Sequence, residues 1–68
     1  MTEDALQTYF LETAEAELAN AKRYASQKRR AKAQEALREA KYWAIKCWPA
    51  DTKRLQDSIT VLDYELNT

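Results

Sequence analysis

Pro49 is the only proline in a 68-residue chain that contains no glycine, so a single position carries a strong instruction to stop a helix. Glycine supplies the positive φ of tight turns, and Gly/Pro punctuation separates the strands of hairpins, sandwiches and barrels. A chain without it has little turn chemistry of that kind. Twelve alanines, with abundant Leu, Glu, Lys, Arg and Gln, are strong helix formers. The expected fold class is all-α: a small bundle of two to three helices.

The same absences exclude whole classes of chemistry. Without glycine there is no phosphate-cradling loop, dinucleotide fingerprint, EF-hand loop or nucleophile elbow. Without histidine there is no catalytic triad, no zinc-water site and no imidazole acid or base. One cysteine, Cys47, allows neither a disulfide framework nor a cysteine metal cluster. Glu35 with Glu39, and Glu12 with Glu15, share helical faces, but a di-iron bundle needs Glu-x-x-His pairs. The reading is of a non-enzyme, with no catalytic residue, no metal and no cofactor.

Helix boundaries follow from local signals. Thr2 is placed to cap a first helix whose opening acids, Glu3 and Asp4, complement its positive end. At about 100° per residue, Leu6, Phe10, Ala14, Leu18, Ala21, Tyr24 and Ala25 form one apolar stripe, with Glu17 discordant inside it. A second stripe comprises Ala33, Ala36, Leu37, Ala40, Trp43, Ala44 and Cys47, rotated by about a quarter turn or more from the first. That rotation predicts a break or kink near residues 25–29. Ser26 is a candidate cap there, whereas Lys28, Arg29 and Arg30 suit the end of the first helix better than the start of another. Pro49 disfavours helix at Trp48, and Asp51 or Thr52 is the expected cap of the last helix. Leu55, Ile59, Leu62 and Leu66 then repeat as a narrow seam for helix-on-helix packing.

These readings give one helical domain, 1–68, with helices near 3–25, 29–48 and 51–66. The last two form a C-terminal antiparallel αα-hairpin. A domain this small buries only about 60% of its extended-chain surface, and only Tyr24 is large and apolar between Ala19 and Ala36. Oligomerisation is the expected remedy.

Zero net charge conceals segregation. Residues 1–18 hold five acids and no base, and residues 19–34 hold six bases and no acid. As a phosphate-contacting strip for nucleic acid, the candidates are Lys22, Arg23, Tyr24, Lys28, Arg29, Arg30 and Lys32, the ring stacking on a base. The same bases, with Tyr24 or Trp43, would suit a small anionic, nucleotide-like ligand between subunits. A dedicated nucleic-acid binder is usually net basic, and the pI here is near 6.2. Mutual neutralisation of the acidic first helix and the basic centre, within or between subunits, is therefore the favoured reading of the charges.

The aromatic group Tyr42, Trp43, Ile45 and Trp48 places large side chains on several sides of one helix. Trp and Tyr dominate interface hot spots. Tyr42, Ile45, Trp48, Val61 and Tyr64 are accordingly the candidate protein-binding residues. Cys47, beside Trp43 on the apolar side, reads as a buried structural thiol. No apolar run is long enough for a membrane span or a signal peptide, and the lone cysteine fits the cytoplasm.

The stretch Leu37-Arg38-Glu39-Ala40-Lys41-Tyr42-Trp43-Ala44 is similar to the last helix of small phage proteins that sequester cyclic-nucleotide immune signals. The similarity spans eight residues, and this chain departs from the pattern by continuing through Pro49 into another helix. No functional residue carries over. What the resemblance implies is a small mobile-element protein that acts by binding, and a compact chain opening on Met1 fits a phage or plasmid gene product. The combined expectation is a non-enzymatic helical regulator, adaptor or inhibitor that acts through protein contacts.

Overall fold

The computed structural model describes residues 3–67 and contains three helices, α1 (Glu3–Ser26), α2 (Arg30–Ala44) and α3 (Pro49–Leu66). No strand occurs among the described residues, and the all-α reading holds. The expected cap Thr2 lies outside the described residues.

The two apolar stripes of α1 and α2 meet because the chain reverses between them. Lys28 adopts φ 62°, the left-handed region normally taken by glycine at a helix end. Its N–H donates to Ala25 O at 3.0 Å, and the Arg29 N–H reaches back to Tyr24 O at 2.9 Å. Those two bonds form a Schellman motif, which satisfies carbonyls that the last turn of α1 would otherwise leave open. The break near 25–29 is real, and it is a full reversal rather than a kink. Ser26 caps nothing downstream, because its hydroxyl donates to Arg23 O at 2.7 Å inside the last turn of α1.

The second reversal begins earlier than expected. α2 ends at Ala44, not near residue 48. Lys46 N–H and Cys47 N–H bond three residues back, to Trp43 O (3.2 Å) and Ala44 O (3.1 Å), so the helix tightens before Pro49 could interrupt it. α3 begins on Pro49 itself, the favoured first helical position for proline, with extended Trp48 as its cap residue. Asp51 and Thr52 therefore lie inside the first turn instead of capping it. Thr52 instead braces the preceding helix. Its hydroxyl hydrogen is shared between Ala44 O at 2.8 Å and Cys47 O at 3.1 Å.

The core consists of Ala14, Leu18 and Ala21 from α1; Ala33, Ala36, Leu37, Ala40 and Ala44 from α2; Cys47; and Leu55, Ile59, Leu62 and Leu66 from α3. Six of these thirteen residues are alanine, so α1 and α2 approach closely with little side-chain volume between them. Among the described residues Leu37 and Ile59 are the most completely buried large side chains. The whole seam expected for α3 is buried. The molecule measures 39 × 18 × 13 Å, long and thin for its mass.

Candidate interaction surfaces

The reversal at Lys28 runs α2 back against α1, which fixes what sits at each end of the molecule. At one end the beginning of α1 meets the end of α2. Phe10 stacks on Trp43 with ring centroids 6.0 Å apart, and Tyr9 and Tyr42 meet Trp43 edge-on at 5.8 and 5.3 Å. Lys46 Nζ lies 4.9 Å from the Tyr42 ring and 5.9 Å from Phe10, close enough for cation–π attraction. Four rings and an ammonium thus form one cluster on the outside of the bundle. Ile45 and Trp48, on the adjoining corner, remain 67% and 45% exposed.

All five expected protein-contact residues are exposed, Tyr64 the most at 72%. They do not form one patch. Tyr42, Ile45 and Trp48 belong to the aromatic end. Val61 lies instead in a groove between α1 and α3, of about 370 Å³, with Lys22, Asp57, Ser58, Leu62 and Glu65. Tyr9 and Lys46 were not singled out from the sequence. Tyr9 falls on the polar side of its helix, and only the fold brings it to Trp43.

The opposite end carries the bases. Lys22, Arg23, Lys28, Arg29, Arg30 and Lys32 are all exposed, and Tyr24 is half-buried. The expected neutralisation by the acidic half of α1 does not take the form of direct ion pairing within the chain among the described residues. No ion pair joins any of the six to a carboxylate among the described residues, and Glu15 pairs with Arg54 at 3.2 Å instead. The physical reason is the reversal, which lays the basic end of α1 beside the basic start of α2 and leaves Glu3, Asp4 and Glu12 towards the other end, while Glu17 lines a groove with Lys32 without an ion pair to it. Ion pairs otherwise form on α2 and α3, with Lys41 on the half-buried Asp63 at 3.7 Å and Arg54 on the half-buried Asp51 at 3.8 Å. Glu35 and Glu39, which share a face of α2, form no ion pair among the described residues.

Glu17, Asn20, Tyr24, Lys32, Glu35, Ala36 and Glu39 line a groove of about 290 Å³ between α1 and α2. Three carboxylates against one ammonium make it unsuited to a small anion. Trp43 is at the far end with the other rings, so the fold does not bring Tyr24 and Trp43 to one ligand. Glu17 is half-buried in this groove and has no ion pair with Lys28 or Arg29. Among the described residues, no three Cys, Asp or Glu side chains gather closely enough to chelate a metal.

Cys47 is buried, its thiol donating weakly to Trp43 O at 3.6 Å. Burial pushes the thiol pKa above its ordinary value, and the negative charges of Asp51 and Glu15 push the same way. The group stays protonated and is a poor nucleophile at neutral pH. Gln7 Oε1 is buried without a hydrogen-bond partner, a polar atom set into the apolar stripe of α1. No helix among the described residues is long and apolar enough to cross a membrane. No family model, curated protein or solved structure matches the chain.

Proposed function

We propose that the chain is a small non-enzymatic binding protein that works through protein contacts, as a cytosolic regulator, adaptor or inhibitor. The observation that supports this is an inversion of the usual distribution of side chains. Alanine fills much of the interior, while Tyr9, Tyr42, Ile45 and Trp48 stand exposed at one end. Aromatic side chains that cluster at a surface, already held in place by Phe10, Trp43 and Lys46, offer large contact area at little entropic cost on binding. Tyr42, Ile45 and Trp48 are the anchors in this reading, and Val61 and Tyr64 are a separate contact on α3.

Self-association is part of the same reading. The accessible surface is 4849 Å², against about 4,400 Å² for an ordinary monomer of this mass. The excess fits a thin bundle that gains burial from a second copy. In that assembly α2 and α3 act as an antiparallel αα-hairpin held at its corner by the Thr52 hydroxyl and farther along by the Lys41–Asp63 pair.

A photo-crosslinking residue substituted for Tyr42 tests the protein-contact reading in cells. The expected result is one discrete heterologous adduct, abolished by Trp48→Ala while the helical circular-dichroism signal persists. Absence of an adduct, or an adduct that survives Trp48→Ala unchanged, overturns it. Sedimentation equilibrium of the free protein tests self-association, and a monomer at about 100 μM would remove that part.

A further inference from the structure

We propose that the tip formed by the α1–α2 reversal binds the phosphate backbone of nucleic acid without reading its sequence. Six cations fall within eleven residues, and the Schellman turn folds that run back on itself instead of spreading it along one rod. Lys22 faces the α1/α3 groove, Lys32 faces the α1/α2 groove, and Lys28 and Arg30 border a third hollow at the end of the bundle. The positive charge thus wraps around one pole of a molecule whose net charge is zero. The first turn of α2 adds to it, because it contains no acid and no side-chain cap.

This arrangement is electrostatically unfavourable on its own. Like charges at close range repel, and none of the six has an ion-pair partner among the described residues. Acids border part of this surface, with Asp57 and Glu65 lining the groove beside Lys22, Glu65 the hollow beside Lys28 and Arg30, and Glu17, Glu35 and Glu39 the groove beside Lys32. An external polyanion would relieve the repulsion.

Duplex DNA fits the dimensions and the charge density. It carries about one negative charge per 1.7 Å of axis, so the 18 Å width of the molecule faces about ten phosphate charges. The acidic half of a second copy offers fewer, with five carboxylates over residues 3–17, one of which, Glu15, already pairs with Arg54. An anionic membrane is a poorer match, because Ala31 is the only apolar residue between Ser26 and Lys32 and nothing there can insert.

The test is fluorescence anisotropy with a short labelled duplex and a labelled single strand, each of two unrelated sequences. Both sequences should bind alike. With about five phosphates contacted, duplex affinity should fall a few hundred-fold between about 50 and 200 mM salt, and somewhat less for the single strand. The triple variant Lys28→Gly, Arg29→Gln, Arg30→Gln keeps a turn-compatible residue at position 28. It should flatten the logarithmic salt slope by about 3 units, with unchanged helicity. Lys53→Gln, outside the basic block, should bind as the parent does. No binding at about 25 mM salt, a slope near zero, or equal binding by the triple variant overturns the proposal. So does binding to phosphatidylserine vesicles, or salt-sensitive self-association, in place of binding to nucleic acid.

Discussion

The two chain reversals of this bundle solve the same problem by opposite means. At residues 27–29 the backbone turns through a left-handed lysine, with every side chain from Ser26 to Lys32 exposed and the hydrogen bonds all local. At residues 45–48 the turn is held from outside itself. Cys47 is buried in the core, Pro49 starts the next helix, and Thr52 reaches back to the last carbonyls of α2. The first reversal is a surface feature that can carry charge because nothing packs on it. The second is a packed joint, and the aromatic cluster beside it inherits that rigidity. One molecule therefore has an electrostatic pole and an apolar pole, each made possible by the kind of turn beneath it.

The largest expected difference between the joints comes from Thr52→Val. The substitution keeps the shape and removes the hydroxyl, leaving Ala44 O and Cys47 O without their side-chain donor in a half-buried corner. A loss of about 1–2 kcal/mol in urea denaturation is expected. Ser26→Ala is the matched change at the exposed joint, where the lost bond to Arg23 O is solvent-accessible. It should cost no more than about 0.5 kcal/mol. Equal costs at the two positions would break the contrast between packed and open joints.

Lys28→Gly acts in the reverse direction. A lysine at φ 62° bears the steric penalty of a Cβ in the left-handed region, and glycine does not. Part of that gain is offset by the greater freedom of glycine in the unfolded chain. The net expectation is a stabilisation of about 0.5–1 kcal/mol, read as a higher thermal midpoint. A destabilised variant would mean that the lysine side chain itself supports the turn. The same substitution removes one cation from the basic pole, so stability and nucleic-acid affinity should move in opposite directions.

These joints also mark where the sequence is legible and where it is silent. The buried stripes of α2 and α3 could be read residue by residue, because 3.6-residue periodicity and burial are two views of one constraint. The break near residue 27 was visible as a rotation of the stripe. Its Schellman geometry was not, since no glycine announced it and lysine is an unusual occupant. Pro49 marks a helix boundary in the sequence, but the end of α2 at Ala44 depends on three-residue bonds and on Thr52, which is eight residues away from the carbonyl it braces. The exposure of Tyr42 follows from its angle on α2, whereas Ile45 and Trp48 lie past the end of that helix and are exposed at the corner. The entry of Tyr9 into the aromatic cluster could not be read in that way, because it depends on how α1 and α2 are aligned. Segregated charge was equally visible, but whether the blocks neutralise one another is a tertiary question, and the antiparallel course of α2 answers it in the negative.

The smallest expected effect concerns the thiol at the packed joint. The pKa of Cys47 is raised in the folded state by burial and then by Asp51 and Glu15, so folding favours the protonated form. The unfolded chain ionises first as pH increases. The associated stability is therefore fully present below the ordinary thiol pKa and is lost as pH rises through the higher folded value. The loss should be smaller than the effect of either Thr52→Val or Lys28→Gly, and it is read from urea denaturation as a function of pH. The comparison is made against Cys47→Ala across the alkaline arm, where contributions other than the thiol's cancel. The gap between the two proteins should narrow steadily with rising pH. A thiol at the open joint provides the contrast: Ala31→Cys in the Cys47→Ala background should react with iodoacetamide at neutral pH much faster than Cys47 does. Similar rates at the two positions would show that the corner opens as freely as the tip, and the distinction between a packed and an open reversal would fail.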